Sequence, residues 1–87
     1  MEQALLKRIV INPKVMVGKP VIRGTRIPVD LIIKLIAQGM REKEIHKDYP
    51  QLTKEDIKAA LFYGAEVVSS ETILPVIETK KNAKVFN

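Results

Sequence analysis

The spacing of apolar positions divides the chain into a β-like first third, a helical middle and a proline-broken apolar stretch near its end. Residues 8–12 (Arg-Ile-Val-Ile-Asn) are a β-branched run too short for a helix, and predict a short strand stopped by Asn12-Pro13. Val15, Met16 and Val17 offer a continuation of that strand, ahead of a second breaker at Gly18-Lys19-Pro20. Residues 21–28 (Val-Ile-Arg-Gly-Thr-Arg-Ile-Pro) predict two very short extended pieces around a hairpin-like turn, with Gly24 supplying a positive φ. In that arrangement Ile22 and Ile27 point inward, and Arg23 and Arg26 point outward.

The period then changes from two to between three and four. Residues 29–38 predict a first helix, with Pro28 suited to its start because the missing N–H is not needed there. Its polar positions Asp30, Lys34 and Gln38 form one narrow stripe, and Asp30 precedes Lys34 in the favourable i,i+4 order. A helix apolar around most of its circumference is buried on more than one side, which in a small chain predicts a homodimer interface. Gly39 is a natural stop. Residues 41–48 predict a second helix, with Met40 and Ile45 as a hydrophobic staple and Glu44 at the third helical position. Arg41 is a poor cap for it. Tyr49-Pro50 ends it. Thr53 opens a third helix running to about Ser69, with Asp56 completing a near capping box and Leu52 and Ile57 forming a second staple. Gly64, on the apolar face made by Ile57, Ala60, Leu61 and Val68, predicts close approach of another backbone. Ile73-Leu74-Pro75-Val76-Ile77 predicts an edge strand or extended arm. The fold class expected is mainly α with a small N-terminal β element. Residues 1–70 would form a tri-helical, helix-turn-helix-like domain, and residues 71–87 an extended C-terminal arm.

Composition narrows what such a domain does. With 87 residues the chain is one domain, and zero Cys excludes a disulfide scaffold, a thiolate metal site and a Cys nucleophile. A single His and 5% aromatic residues argue against a His metal cluster and against stacking platforms for single-stranded nucleic acid. No apolar run approaches the ~20 residues of a membrane span. An acid at position 2 and the lack of a small-residue cleavage site argue against a signal peptide. The expectation is a soluble cytoplasmic protein with no membrane partner.

The net charge of +5 is unevenly placed. Residues 1–28 hold six bases against one acid, residues 29–79 six against nine, and residues 80–87 three lysines and no acid. Two basic ends therefore flank a mildly acidic middle. Arg23 and Arg26 read either as phosphate or carboxylate clamps or as solvated bases beside a turn, with Thr25 fixing that turn. The third helix reads either as a recognition helix or as a packing helix. Lys54 and Lys58 are opposed there by Glu55, Asp56 and Glu66, which weakens counterion release. The arm reads either as a cover for the chain's own core or as a partner-binding segment. In the second reading Ile73, Leu74, Val76 and Ile77 enter a groove or add a strand, and Lys80, Lys81 and Lys84 meet acidic groups. His46 lies among Lys43, Lys47 and Asp48 and reads as a surface residue. Nothing assembles a nucleophile, a base and an orienting group, so the expectation is a protein that is not an enzyme, with no catalytic residue, metal or cofactor.

The stretch Gly18-Lys19-Pro20-Val21-Ile22-Arg23-Gly24-Thr25-Arg26-Ile27-Pro28-Val29 resembles the hallmark of the bacterial and archaeal family catalogued as domain of unknown function 433. The resemblance continues through Gly39, Tyr49-Pro50, Leu52-Thr53, Ala60-Leu61 and Tyr63, and covers roughly residues 5–66. Arg41, where the family often has Ser or Thr, and Gly64, where Ala is common, depart from it. The resemblance implies a homeodomain-like or winged-helix-like DNA-binding fold. It also implies that many members are antitoxins that block a PIN-like ribonuclease toxin and repress their own operon. The expected function is an antitoxin of this kind. The alternatives are a stand-alone DNA-binding regulator and a dimeric interaction module that binds no nucleic acid. Candidate DNA contacts are Lys19, Arg23, Thr25, Arg26, Lys54 and Lys58.

Overall fold

The computed structural model describes residues 2–70. The element order is α1 (Glu2–Leu6), β1 (Ile9–Ile11), β2 (Pro20–Ile22), α2 (Val29–Ala37), α3 (Glu42–Asp48) and α4 (Lys54–Ser70). The fold is mainly helical with a small N-terminal sheet. Strands β1 and β2 pair antiparallel with Ile9 opposite Ile22, Val10 opposite Val21 and Ile11 opposite Pro20. Pro20, which lacks a ladder donor, sits at the end of the pairing, where its missing N–H does least harm. Val21 also bridges Pro28, so β2 lies between β1 and the start of α2.

Two features differ from the reading of the sequence. The chain begins with α1, a helix too short to be stable alone, which packs on α4 with Leu5 and Leu6 half-buried. Residues 15–17 do not extend β1. The Asn12 side chain accepts the Lys14 N–H at 2.9 Å, and its carbonyl accepts the Val15 N–H at 2.8 Å, which turns the chain back. Met16, Val17 and Gly18 follow as a short 3-10 turn with φ of 51°, 55° and 78°. Left-handed backbone costs about 1–2 kcal/mol at each non-glycine residue. No packing offsets this at Val17, which is 96% exposed.

The core takes in the expected inward positions Ile22 and Ile27 and the Ile57 and Ala60 part of the α4 face, but leaves out Leu61 and Val68, which are 42% and 68% exposed. Ile22, Ile27, Val29, Ile32, Ile45, Leu52, Ile57 and Ala60 form one buried cluster, to which β2, α2, α3 and α4 all contribute. On α2 only Val29 and Ile32 are fully buried, while Leu31, Ile33, Leu35 and Ile36 are partly covered. Asp30 meets Lys34 at 3.8 Å, as the i,i+4 spacing predicts. Gly64 is a close-approach position, but what approaches is a side chain. Ile33 Cδ1 lies 2.6 Å from where a Cβ on residue 64 would stand.

The helix starts explain how the α3–α4 corner is held. Arg41 occupies the N-cap of α3. Its side chain has no acceptor to offer, so only half a capping box forms: Glu44 accepts the Arg41 N–H at 2.7 Å. The α4 start is complete. The Thr53 hydroxyl accepts the Asp56 N–H at 3.1 Å, and Asp56 Oδ2 accepts the Thr53 N–H at 3.0 Å. Asp56 Oδ1 accepts a further bond from the Arg8 guanidinium at 3.0 Å, across 48 positions of sequence. Asp56 is 7% exposed, and all its visible partners are charge-assisted or backbone donors.

We expect Asp56→Ala to lose both the cap and the bridge, a destabilisation of about 2 kcal/mol, or ~10 °C in Tm. Arg8→Ala, which leaves the cap intact and removes a partly solvated partner, should lose about 1 kcal/mol or less. Thermal unfolding of both variants checks this; equal losses would show that the bridge, not the cap, dominates at Asp56.

Candidate nucleic-acid interface

Side chains of the first third meet the start of α4 at one corner of the molecule. The β2–α2 turn is built by its own residues. Gly24 adopts φ +79°, and no atom lies within 4 Å of where its Cβ would be, so backbone conformation rather than space requires glycine there. The Thr25 hydroxyl donates to the Ile22 carbonyl at 2.8 Å and accepts the Ile27 N–H at 3.0 Å. The Ile22 N–H reaches the Ile27 carbonyl at 3.0 Å. Ile22 and Ile27 are thereby held in the core, while Arg23 and Arg26 stand exposed, as the alternation predicts.

Arg23 faces the α1–β1 junction. Its Nε donates to the Lys7 carbonyl at 2.7 Å, and its backbone N–H donates to the Arg8 carbonyl at 2.7 Å. Arg8 in turn reaches Asp56 on the first turn of α4. Arg8 therefore links the α1–β1 junction to the α4 N-terminus, while Arg23 is tied to that junction through the Lys7 and Arg8 carbonyls, with Arg26 on the same turn as Arg23. Lys54 and Lys58 are exposed on the first two turns of α4 itself. Among the described residues, Lys7, Arg23, Arg26, Lys54 and Lys58 form no ion pair.

Two proposed contacts are placed differently from these. Lys19 points at Asp30, 3.4 Å away, in an exposed pair that Asp30 shares with Lys34. Thr25 spends its hydroxyl proton and one acceptor position on the turn. The residues missed by sequence reasoning are Lys7 and Arg8. They precede the recognisable motif; Arg8 acts through a contact 48 positions away, and Lys7 through its carbonyl, which accepts from Arg23. His46 is exposed and closes the α3–α4 corner by donating from Nδ1 to the Leu52 carbonyl at 2.7 Å. Beside it, an open groove of about 410 Å³ is lined by Glu42, Lys43, His46, Thr53, Lys54 and Ile57. No cluster of three or more His, Asp or Glu suited to a metal exists among the described residues. No described helix is long and apolar enough to cross a membrane. The arm residues Ile73, Leu74, Val76, Ile77, Lys80, Lys81 and Lys84 lie outside the described residues.

The family model for Protein of unknown function (DUF433) matches residues 9–64. The chain belongs to the DUF433 family. An uncharacterized protein of Archaeoglobus fulgidus is 60% identical over 30 residues, which is 34% of this chain and 83% of that protein. The crystal structure of a DUF433 member protein from Anabaena variabilis is 40% identical and superimposes with a TM-score of 0.69, covering 78% of this chain and 67% of that one. The DUF433 segment holds the β-sheet, the glycine–threonine turn and the α3–α4 corner. Lys7 and Arg8 stand just ahead of it, and the last six residues of α4 lie beyond it.

The internal bonds of Thr25 give a testable distinction. Thr25→Val should lose about 1–2 kcal/mol of stability by leaving the Ile27 N–H without a partner, whereas Thr25→Ser should stay near the parent. Urea unfolding of the two variants reads this. A Val variant as stable as the parent would show that the hydroxyl does not hold the turn.

Proposed function

We propose that this DUF433 chain is the antitoxin of a toxin–antitoxin pair that contacts operator DNA with the corner formed by the α4 N-terminus and the β2–α2 turn. One observation carries the DNA part of the reading. Taken alone, α4 has two bases against three acids, Glu55, Asp56 and Glu66. Arg8 bonds one of the two acids on the first turn of α4, Asp56, at 3.0 Å, and Glu55 stays exposed between Lys54 and Lys58. Lys7, Arg23 and Arg26 then add three charges with no opposing acid bonded to them. A helix start flanked by guanidinium groups suits phosphate oxygens, which accept bidentate bonds from arginine. Helices α3 and α4, joined at the tight Tyr49–Thr53 corner, supply the two-helix frame on which such a helix is presented to the major groove.

The antitoxin part is supported by the resemblance and by the apolar-then-basic order of residues 73–84. An apolar stretch followed by lysines suits a groove beside an acidic metal-binding site, which is the chemistry of a PIN-like nuclease.

Two measurements test the parts separately. In gel-shift titrations on DNA from the chain's own upstream region, the Arg23→Ala/Arg26→Ala pair should reduce the slope of log affinity against log salt by about 2 while leaving the fold intact. An unchanged slope would remove the corner from DNA binding. Co-purification with a neighbouring PIN-like protein should be lost on deletion of residues 71–87. Equal recovery of the truncated chain would remove the arm from toxin binding.

A further inference from the structure

His46 has one ring nitrogen fixed and the other open. Its Nδ1 lies 2.7 Å from the Leu52 carbonyl. A carbonyl oxygen only accepts, so Nδ1 carries the hydrogen of that bond. In the neutral ring this commits the single N–H to Nδ1 and leaves Nε2 a bare acceptor. Protonation keeps the Leu52 bond and turns Nε2 into a positively charged donor. The corner between α3 and α4 therefore stays closed in both states. The change of charge is expressed at Nε2, the nitrogen that the Leu52 bond does not use.

The groove of about 410 Å³ beside the ring is where that change is felt. The charged groups that line it with His46 are Glu42 and Lys43 on α3 itself and Lys54 on the first turn of α4. Helix α2, which also packs on α3, contributes none. Lys47 and Asp48 follow His46 on α3 and are exposed, but they do not line the groove. The lining thus sets one acid against two bases, and a protonated His46 makes it one against three.

We propose that this groove takes a phosphate of the duplex that meets the α4 N-terminus, and that protonation of His46 strengthens the contact, so that the chain holds DNA more tightly as pH falls. This rests on the DNA reading above, because Lys54 belongs both to the groove wall and to the basic corner. The sign follows from the ring. A neutral Nε2 and a phosphate oxygen are both acceptors and repel each other. A protonated ring donates to the oxygen and adds a charge-assisted bond.

The sequence makes the test direct. His46 is the single His of the chain and there is no Cys, so one imidazole and no thiol is present to titrate between pH 5 and 8. In gel-shift titrations of the full chain on its upstream DNA, the slope of log affinity against log salt should be steeper by about 0.9 at pH 5.5 than at pH 8, the counterion release of one more neutralised phosphate. His46→Gln, which has an amide donor but no titrating charge, should give the same slope at both pH values. In the parent, DNA should move the titration midpoint of the His46 ring resonances to higher pH, because a proton that favours binding is itself favoured by binding. A pH-independent slope in the parent, equal steepening in His46→Gln, or a midpoint that DNA leaves unmoved overturns the proposal. So does a midpoint raised as far by inorganic phosphate alone, which would put a free anion in the groove. The DNA reading survives each of these results. A parent that shifts no DNA at either pH overturns that reading and this proposal with it.

Discussion

One carboxylate joins the two parts of this small fold. Asp56 caps α4 through Thr53 and, with its other oxygen, holds Arg8 at 3.0 Å. The first function is local and the second spans most of the chain. Through Arg8 the β1 strand is fixed to the start of α4, and through the Arg8 and Lys7 carbonyls the Arg23 turn is fixed to β1. A corner with this many bases would otherwise repel itself. A nearly buried acid offsets the charge of Arg8, and Lys7, Arg23 and Arg26 are exposed.

The chain thereby separates its two kinds of surface along a single helix. The 17 residues of α4 span about 25 Å. Its first turns carry lysines and hold Arg8 through Asp56. Its last turns carry Leu61, Val67 and Val68 exposed beside Ile33. Charge at one end and apolar area at the other suit different partners, so neither surface need compromise the other. Gly64 lies where Ile33 crosses the helix, and a side chain there would displace Ile33 from the contact between α2 and α4.

How much of this was legible in the sequence follows from how local each cause is. The helix starts at Val29, Glu42 and Lys54 follow from Pro28, Glu44 and the Thr53–Asp56 pair, each acting within a turn. Gly24 and Thr25 announce their turn for the same reason. The matched family segment falls within the motifs the sequence displays. What escaped was non-local or contrary to propensity. Helix α1 exists because it docks on α4, not because five residues favour it. Met16 and Val17 take left-handed backbone that β-branched and bulky residues avoid, so their composition pointed to a strand. The Arg8–Asp56 bond has no signature in either neighbourhood, and Asp56 was already accounted for by its cap.

The central claim is that nucleic acid meets the Arg23 corner and not the Val68 face. It is tested most directly by following the backbone amide resonances of the labelled full chain as duplex DNA from its upstream region is added. The account predicts saturable shifts at Lys7, Arg23, Gly24, Lys54 and Lys58, with Val67 and Val68 unmoved. Shifts centred on Val67 and Val68, or no shifts at low salt, would contradict it.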